Sequence, residues 1–213
     1  MTRVKFCGLT RPEDASVAGE LGAAYVGAIF AGGPRQLSAA RAREVLAAAG
    51  GTVRRVGVFG AQSGEEIGRT ASAAALDVVQ LHADPDVEQV EAVRHHFGGE
   101  VWAVVRTDGV LPDTLPELAT RADAILLDAR VPGVLGGSGV ALPWADLRRG
   151  VLELRLAVPI VLAGGLKPEN VAEAVRAFAP AVVDVSSGVE HSPGIKDHRA
   201  MHAFMGALAQ LQE

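Results

Sequence analysis

Short apolar, β-branched runs alternate along the whole chain with alanine- and leucine-rich stretches whose charges fall at helical spacing. The runs predict strands at 4–9, 24–30, 54–59, 78–82, 100–106, 124–128, 159–163 and 181–186. The stretches between them predict helices at 12–21, 38–49, 64–75, 86–97, 168–178 and 198–211, with weaker helical segments at 112–121 and 143–153. Local signals agree with the pattern. Pro12 follows Thr10 at the first turn of its helix, and Ser38 stands where an N-cap is needed.

Eight strand–helix units fit either an open doubly wound sheet or a closed (β/α)8 barrel. Nucleotide-binding open sheets often begin with a Gly-x-Gly-x-x-Gly turn after the first strand. Here that strand ends in Cys7-Gly8-Leu9-Thr10 instead. No linker or low-complexity segment interrupts the chain, and its one regular period is the βα unit. The expectation is an α/β protein, a single (β/α)8 TIM barrel, with residues 1–213 as one catalytic domain.

With 213 residues, 49% of them hydrophobic and 21% charged, the chain can bury a full core. No apolar run approaches the roughly 18 residues of a membrane span, and Met1-Thr2-Arg3-Val4-Lys5 leads directly into a strand without a leader-like segment. The expected compartment is the cytoplasm. The lone Cys7 suits a reducing environment, since it cannot form an internal disulfide, and leaves an intermolecular bridge open. A net charge of −5 without a basic block argues against nucleic acid or a membrane surface as partner. Two Trp, one Tyr and six Phe leave little material for base-stacking platforms. Apolar helix faces are compatible with a monomer or a homodimer.

In a barrel of this kind chemistry belongs at the C-terminal ends of the strands. Side chains alternate along a strand, so Lys5 and Cys7 share a face, as do Gln80 with His82, Leu126 with Asp128, and Asp184 with Ser186. If these faces point to the axis, Cys7, His82, Arg106, Asp128, Asp184 and Ser186 crown one mouth. Four of them have a plainer alternative. Cys7 is readable as apolar filler, Asp128 as a helix cap or a partner of Arg130, His82 as a packing histidine, and Asp184 as an internal partner of Lys5. The late loops are the most specific signal. Gly164-Gly165 follows one strand end and Ser186-Ser187-Gly188 follows the next, which is where barrels bind phosphate through backbone N–H groups.

Several stretches carry a resemblance to a known family. They are Lys5-Phe6-Cys7-Gly8-Leu9-Thr10, Val56-Gly57-Val58-Phe59, Val79-Gln80-Leu81-His82 and Leu126-Leu127-Asp128-Ala129, followed by Gly136-Gly137-Ser138-Gly139 and Trp144. Leu162-Ala163-Gly164-Gly165-Leu166, Asn170-Val171, Val183-Asp184-Val185-Ser186-Ser187-Gly188-Val189-Glu190 and Lys196-Asp197 continue the series. Together they make the chain similar to the phosphoribosylanthranilate isomerase family of tryptophan biosynthesis. Two mild departures are His82-Ala83-Asp84, where that family commonly has His-Gly, and Ser138, where Thr is more usual.

The resemblance implies an Amadori rearrangement of N-(5-phosphoribosyl)anthranilate to 1-(2-carboxyphenylamino)-1-deoxyribulose 5-phosphate, with no cofactor and no metal. It implies Cys7 as general base and Asp128 as general acid, and Arg35, in the loop after the second strand, as the contact for the anthranilate carboxylate. Gly164, Gly165, Ser186, Ser187 and Gly188 are expected to hold phosphate, with His82 and Asp184 toward the ribose hydroxyls. A base role for Cys7 calls for a lowered pKa, with Lys5 as a source, and an acid role for Asp128 calls for a raised one, with Asp184 as a source.

Three rival readings are weaker. A relative from histidine biosynthesis, or an enzyme serving both pathways, typically has aspartate where Cys7 stands. A metal-dependent epimerase needs histidine and aspartate ligands from several strands, and His82 is the one histidine at a strand end. A binding protein on a retired barrel predicts a damaged catalytic position, yet Cys7 and Asp128 are both present.

Overall fold

The computed structural model describes residues 1–129 and 143–211. Arg130 and the Gly136-Gly137-Ser138-Gly139 cluster lie outside the described residues. Eight parallel strands close in chain order: β1 (Arg3–Phe6), β2 (Tyr25–Ile29), β3 (Arg54–Phe59), β4 (Val78–Leu81), β5 (Glu100–Thr107), β6 (Ala124–Ala129), β7 (Ile160–Leu162) and β8 (Val182–Val185), which pairs back onto β1. Helices α1 (Pro12–Glu20), α2 (Ala39–Ala47), α3 (Gly64–Ala74), α4 (Val87–Arg94), α5 (Leu115–Ala119), α6 (Trp144–Leu154), α7 (Val171–Phe178) and α8 (His198–Ala209) surround them. Among the described residues no helix is long and apolar enough to cross a membrane.

Capping chemistry explains many of the boundaries. Ser38 accepts from the Arg41 amide at the start of α2, as expected, and Asp197 accepts from the amides of Arg199 and Ala200 at the start of α8. Ser63 with Glu66 and Asp86 with Gln89 form reciprocal capping boxes on α3 and α4. The helix expected over 168–178 begins only at Val171. The Asn170 side chain instead ties the turn, accepting from the Lys167 amide and donating to the Gly165 carbonyl. The weak segment at 112–121 reduces to the five residues of α5.

A larger difference follows β8. The repeat of strand, glycine turn and helix gives way to a 3₁₀ turn (Ser187–Val189) and an antiparallel hairpin of β9 (Glu190–Ser192) and β10 (Ile195–Lys196) before α8.

The strands separate two cores. Outside, side chains such as Phe6, Val26, Leu127 and Val183 pack beneath the helices, and inside, Val56, Val78, Val104, Leu126, Val161 and Val182 fill the barrel. At its N-terminal end Tyr25 meets Trp102 edge-on with ring centroids 4.9 Å apart, and Arg3 and Arg54 lie over the Tyr25 ring. The barrel seam has one polar pair. Lys5 and Asp184 are register partners on β1 and β8, and the buried Lys5 Nζ donates to both Asp184 oxygens at 3.0 Å.

Removing one member of such a pair strands the other charge, at a cost of roughly 3–5 kcal/mol, whereas an apolar replacement of both is far better tolerated. Lys5→Met is therefore expected to lower unfolding free energy by about that much in urea titration. Adding Asp184→Leu to it should recover a large part of the loss.

Candidate active site

The strand ends converge on one cavity of about 410 Å³ at the C-terminal mouth. Cys7, His82, Asp128, Asp184 and Ser186 all line it, and so do Arg35 from the loop after β2, Gly164 and Gly165 from the loop after β7, and Ser187 and Gly188 from the 3₁₀ turn. Arg106 is placed otherwise. It turns toward Asp84, to which its Nε donates at 2.9 Å, and borders a neighbouring cavity.

Two of these residues lie one position past their strands yet remain in the ladder. The Cys7 amide donates to the Val185 carbonyl at 2.9 Å, and the His82 amide donates to the Phe59 carbonyl at 2.8 Å. Their side chains therefore keep the inward phase of the strands below them. A small residue opposite makes room for the thiol: a Cβ on Gly27 would stand 3.2 Å from Cys7 Sγ.

The two glycine loops touch. A Cβ on Gly188 would fall 1.9 Å from the Leu166 carbonyl oxygen, so only glycine lets the loops after β7 and β8 approach this closely. Gly164 has φ +86°, and a Cβ there would lie 2.7 Å from the Ala129 amide nitrogen and 3.0 Å from Asp128 Oδ1. The loop after β7 thus packs directly on the Asp128 carboxylate.

Burial acts on each ionisable group according to the charge it would carry. Asp128 is buried, and desolvation first, then the negative charge of Asp184, push its pKa up to about 6. The Ala129 amide, which donates to Asp128 Oδ1 at 2.9 Å, and the cations Lys5 and Arg106 oppose this without reversing it. His82 moves the other way, down to about 4, through desolvation and then the charges of Lys5 and Arg106. It is a neutral imidazole at pH 7, so its 3.5 Å approach to Asp128 is not an ion pair.

The expected lowering at Cys7 is not found. Desolvation outweighs the pull of Lys5 and Lys196, Asp184 adds to it, and the thiol pKa is raised. Lys5 is itself held to Asp184, which limits what it offers the sulfur.

Asp184 thus takes the internal pairing with Lys5 while still bordering the cavity. Other participants were not assigned from the sequence. Gln80, which lines the cavity, has Nε2 3.2 Å from His82 Nδ1, and its Oε1 is buried without a partner among the described residues. Glu190 grips Arg35, and no local motif signals that contact because its partner is 155 positions away. Among the described residues no group of three or more His, Cys, Asp or Glu is arranged to hold a metal ion.

A thiol and a proton-retaining carboxylic acid at the strand ends of a closed barrel place this molecule among the (β/α)8-barrel enzymes of acid–base chemistry. The family sequence model for N-(5'-phosphoribosyl)anthranilate (PRA) isomerase matches residues 4–207. The N-(5'-phosphoribosyl)anthranilate isomerase of Acidithiobacillus ferrooxidans is 42% identical over 211 residues, 98% of either chain. The crystal structure of the Thermus thermophilus phosphoribosyl anthranilate isomerase superposes with a TM-score of 0.86 at 39% identity, covering 99% of this chain and 100% of that one. A phosphoribosyl anthranilate isomerase in complex with reduced 1-(o-carboxyphenylamino)-1-deoxyribulose 5-phosphate has a TM-score of 0.81 at 33% identity, with 99% and 100% covered. This chain belongs to the N-(5'-phosphoribosyl)anthranilate isomerase family. It is an isomerase of tryptophan biosynthesis.

The raised pKa of Asp128 carries a sign that can be tested. The folded state holds this proton more tightly than the unfolded state, whose carboxyl titrates near 3.8. The stabilising contribution is complete below about pH 4 and is lost as pH rises through 6, a difference of roughly 3 kcal/mol. Asp128→Asn keeps the acceptor for the Ala129 amide, so it should raise unfolding free energy at pH 7.5 and not at pH 4. Carbon-13 NMR of labelled aspartates should show a carboxyl titrating near 6 that is missing in this variant.

Proposed function

We propose that Asp128 and Cys7 divide the Amadori rearrangement between them as general acid and general base. Asp128 gives its proton to the furanose ring oxygen as the bond from that oxygen to C1 breaks. The anthranilate nitrogen lone pair then forms a C1=N iminium. The Cys7 thiol passes its own proton to solvent as the iminium forms, and the thiolate takes the proton on C2, whose C–H electrons form the C1=C2 bond and neutralise the nitrogen. The resulting enolamine tautomerises to the 2-ketone. The substrate keeps its composition, and a proton taken from solvent restores Asp128 as the thiol's own proton is released there, so the reaction as written uses no cofactor and no metal.

The observation that carries this division is the proton held by Asp128 up to about pH 6 inside the same cavity that holds the thiol. A carboxyl near its ordinary pKa would be almost wholly ionised at neutral pH, and the raised value keeps an appreciable protonated fraction. The high thiol pKa is relieved in the course of reaction, because an iminium cation formed beside Sγ favours the thiolate and also acidifies the C2 proton.

The remaining roles follow the positions in the cavity. Phosphate is assigned to the backbone and hydroxyls of Gly164, Gly165, Ser186, Ser187 and Gly188, where the two late loops meet. Arg35 takes the anthranilate carboxylate, and His82 and Asp184 face the ribose hydroxyls. The chain works as one catalytic domain in the cytoplasm, as a monomer or homodimer, with a small phosphorylated substrate and neither nucleic acid nor membrane as partner.

Fluorescence decay of freshly generated N-(5'-phosphoribosyl)anthranilate tests the assignment. Cys7→Ser and Asp128→Asn are each expected to reduce kcat by about a hundredfold or more, with the fold and the substrate affinity retained. A Cys7→Ser enzyme with near-normal turnover would remove the thiol from the base role. Arg35→Ala should act mainly on KM, and an unchanged KM would place the carboxylate elsewhere.

A further inference from the structure

Beside the cavity lies a buried ion triad that none of the chemical steps uses. Glu190 Oε1 accepts from Arg35 Nε at 2.8 Å and from Lys196 Nζ at 2.9 Å, while Oε2 accepts from Arg35 Nη2 at 2.6 Å. The Glu190 and Lys196 side chains are almost wholly buried, and Arg35 keeps an exposed side toward the cavity. Among the described residues Arg35 Nη1 makes no hydrogen bond, so within them one edge of the guanidinium is engaged and the other is not.

The charge count is informative. Two basic side chains share one carboxylate, which leaves the triad with a net positive charge while Lys196 holds its proton, and burial lowers the Lys196 pKa against the pull of Glu190. If Glu190 paired with Arg35 alone, the guanidinium would be neutralised as an anion receptor. Lys196 prevents that, and its Nζ also donates to the Ser186 carbonyl at 3.0 Å, binding the triad to the loop after β8. Burial raises the Glu190 carboxyl, but hydrogen bonds from Arg35 and the charge of Lys196 more than offset it, so the group is anionic.

The frame is rigid from behind. The Lys196 amide donates to Asp14 Oδ2 at 3.2 Å, and this fully buried carboxylate is held in turn by Arg11 and His198. The Arg35 stem lies over Gly8, where a Cβ would come within 2.8 Å of Arg35 Cδ and 2.9 Å of Ser186 Oγ. An arginine on a loop ordinarily surrenders considerable rotamer entropy on binding an anion. Here the fork is already held by Glu190, and Arg35 lines the cavity that Cys7 also lines.

We propose that Glu190 is a positioning residue that sets substrate specificity: it presents the Nη1 edge of Arg35 to the carboxylate of the substrate's aromatic end, with Lys196 preserving the positive charge. The proposal rests on the reading of Arg35 as the carboxylate contact. Glu190 touches no reacting atom, so its effect belongs on recognition of that carboxylate and not on proton transfer.

The experiment compares two freshly generated substrates, N-(5'-phosphoribosyl)anthranilate and its aniline counterpart lacking the carboxylate, on wild type, Glu190→Gln and Arg35→Ala. Glu190→Gln is expected to lose about tenfold or more of the preference for the carboxylate-bearing substrate, the scale of one charge-assisted contact. The loss should appear as a higher KM for that substrate, with kcat and the aniline reaction little changed. If the single variant does not fold, Glu190→Gln with Lys196→Met removes the surplus buried charge, and the same selective loss is expected. Equal losses on both substrates would reveal a purely structural role and overturn the proposal, as would no loss on either. If Arg35→Ala retains the full preference, the carboxylate assignment itself fails and the proposal falls with it. If Arg35→Ala loses the preference and Glu190→Gln keeps it, the assignment stands and the positioning role is rejected.

Discussion

Closure of the barrel places Lys5 on β1 directly beside Asp184 on β8, and the electrostatics of the mouth follow from that contact. The seam brings together residues 179 positions apart, and both side chains point inward where water is excluded. Each charge is tolerable only because the other is 3.0 Å away. Asp184 also borders the cavity, with Lys5 buried beneath it. Lys5 lies one inward position below Cys7, and the charge of Asp184 reaches both the thiol and the carboxyl of Asp128.

One enclosure then produces several protonation states. Desolvation penalises whichever form is charged, so Asp128 retains its proton to an unusually high pH, His82 gives its proton up early, and Cys7 resists ionising. The raised carboxyl of Asp128 and the neutral imidazole of His82 thus come from the same cause. The thiol is the group for which this environment is least favourable before reaction. In the proposed mechanism its activation is tied to a cation that forms only after Asp128 has given up its proton, which would order the two proton transfers.

The alternating apolar and helical pattern was enough to place all eight strands, because parallel barrel strands are buried on both faces and read as short β-branched runs. Inward phase was also readable: Cys7, His82, Asp128 and Asp184 do share the mouth. Helix starts were legible where a cap is local, as at Ser38, and were misplaced where a side chain builds the turn itself, as at Asn170. The hairpin of β9 and β10 escaped notice because five residues in two very short strands leave no periodic trace.

Local chemistry along the chain therefore determined the element types, the side chain facing each strand's inner surface, and the glycines that allow close approach of two loops. Tertiary structure alone decided the pairings. Glu190 with Arg35, Asp14 with His198 and Lys5 with Asp184 each join residues more than 150 positions apart. It also decided the protonation states, since Asp128 and Cys7 have ordinary pKa values until burial and neighbouring charges act on them. The physical reason is range: propensity, capping and alternation act over a few residues, whereas desolvation and Coulomb interaction depend on what the closed barrel brings within a few ångströms.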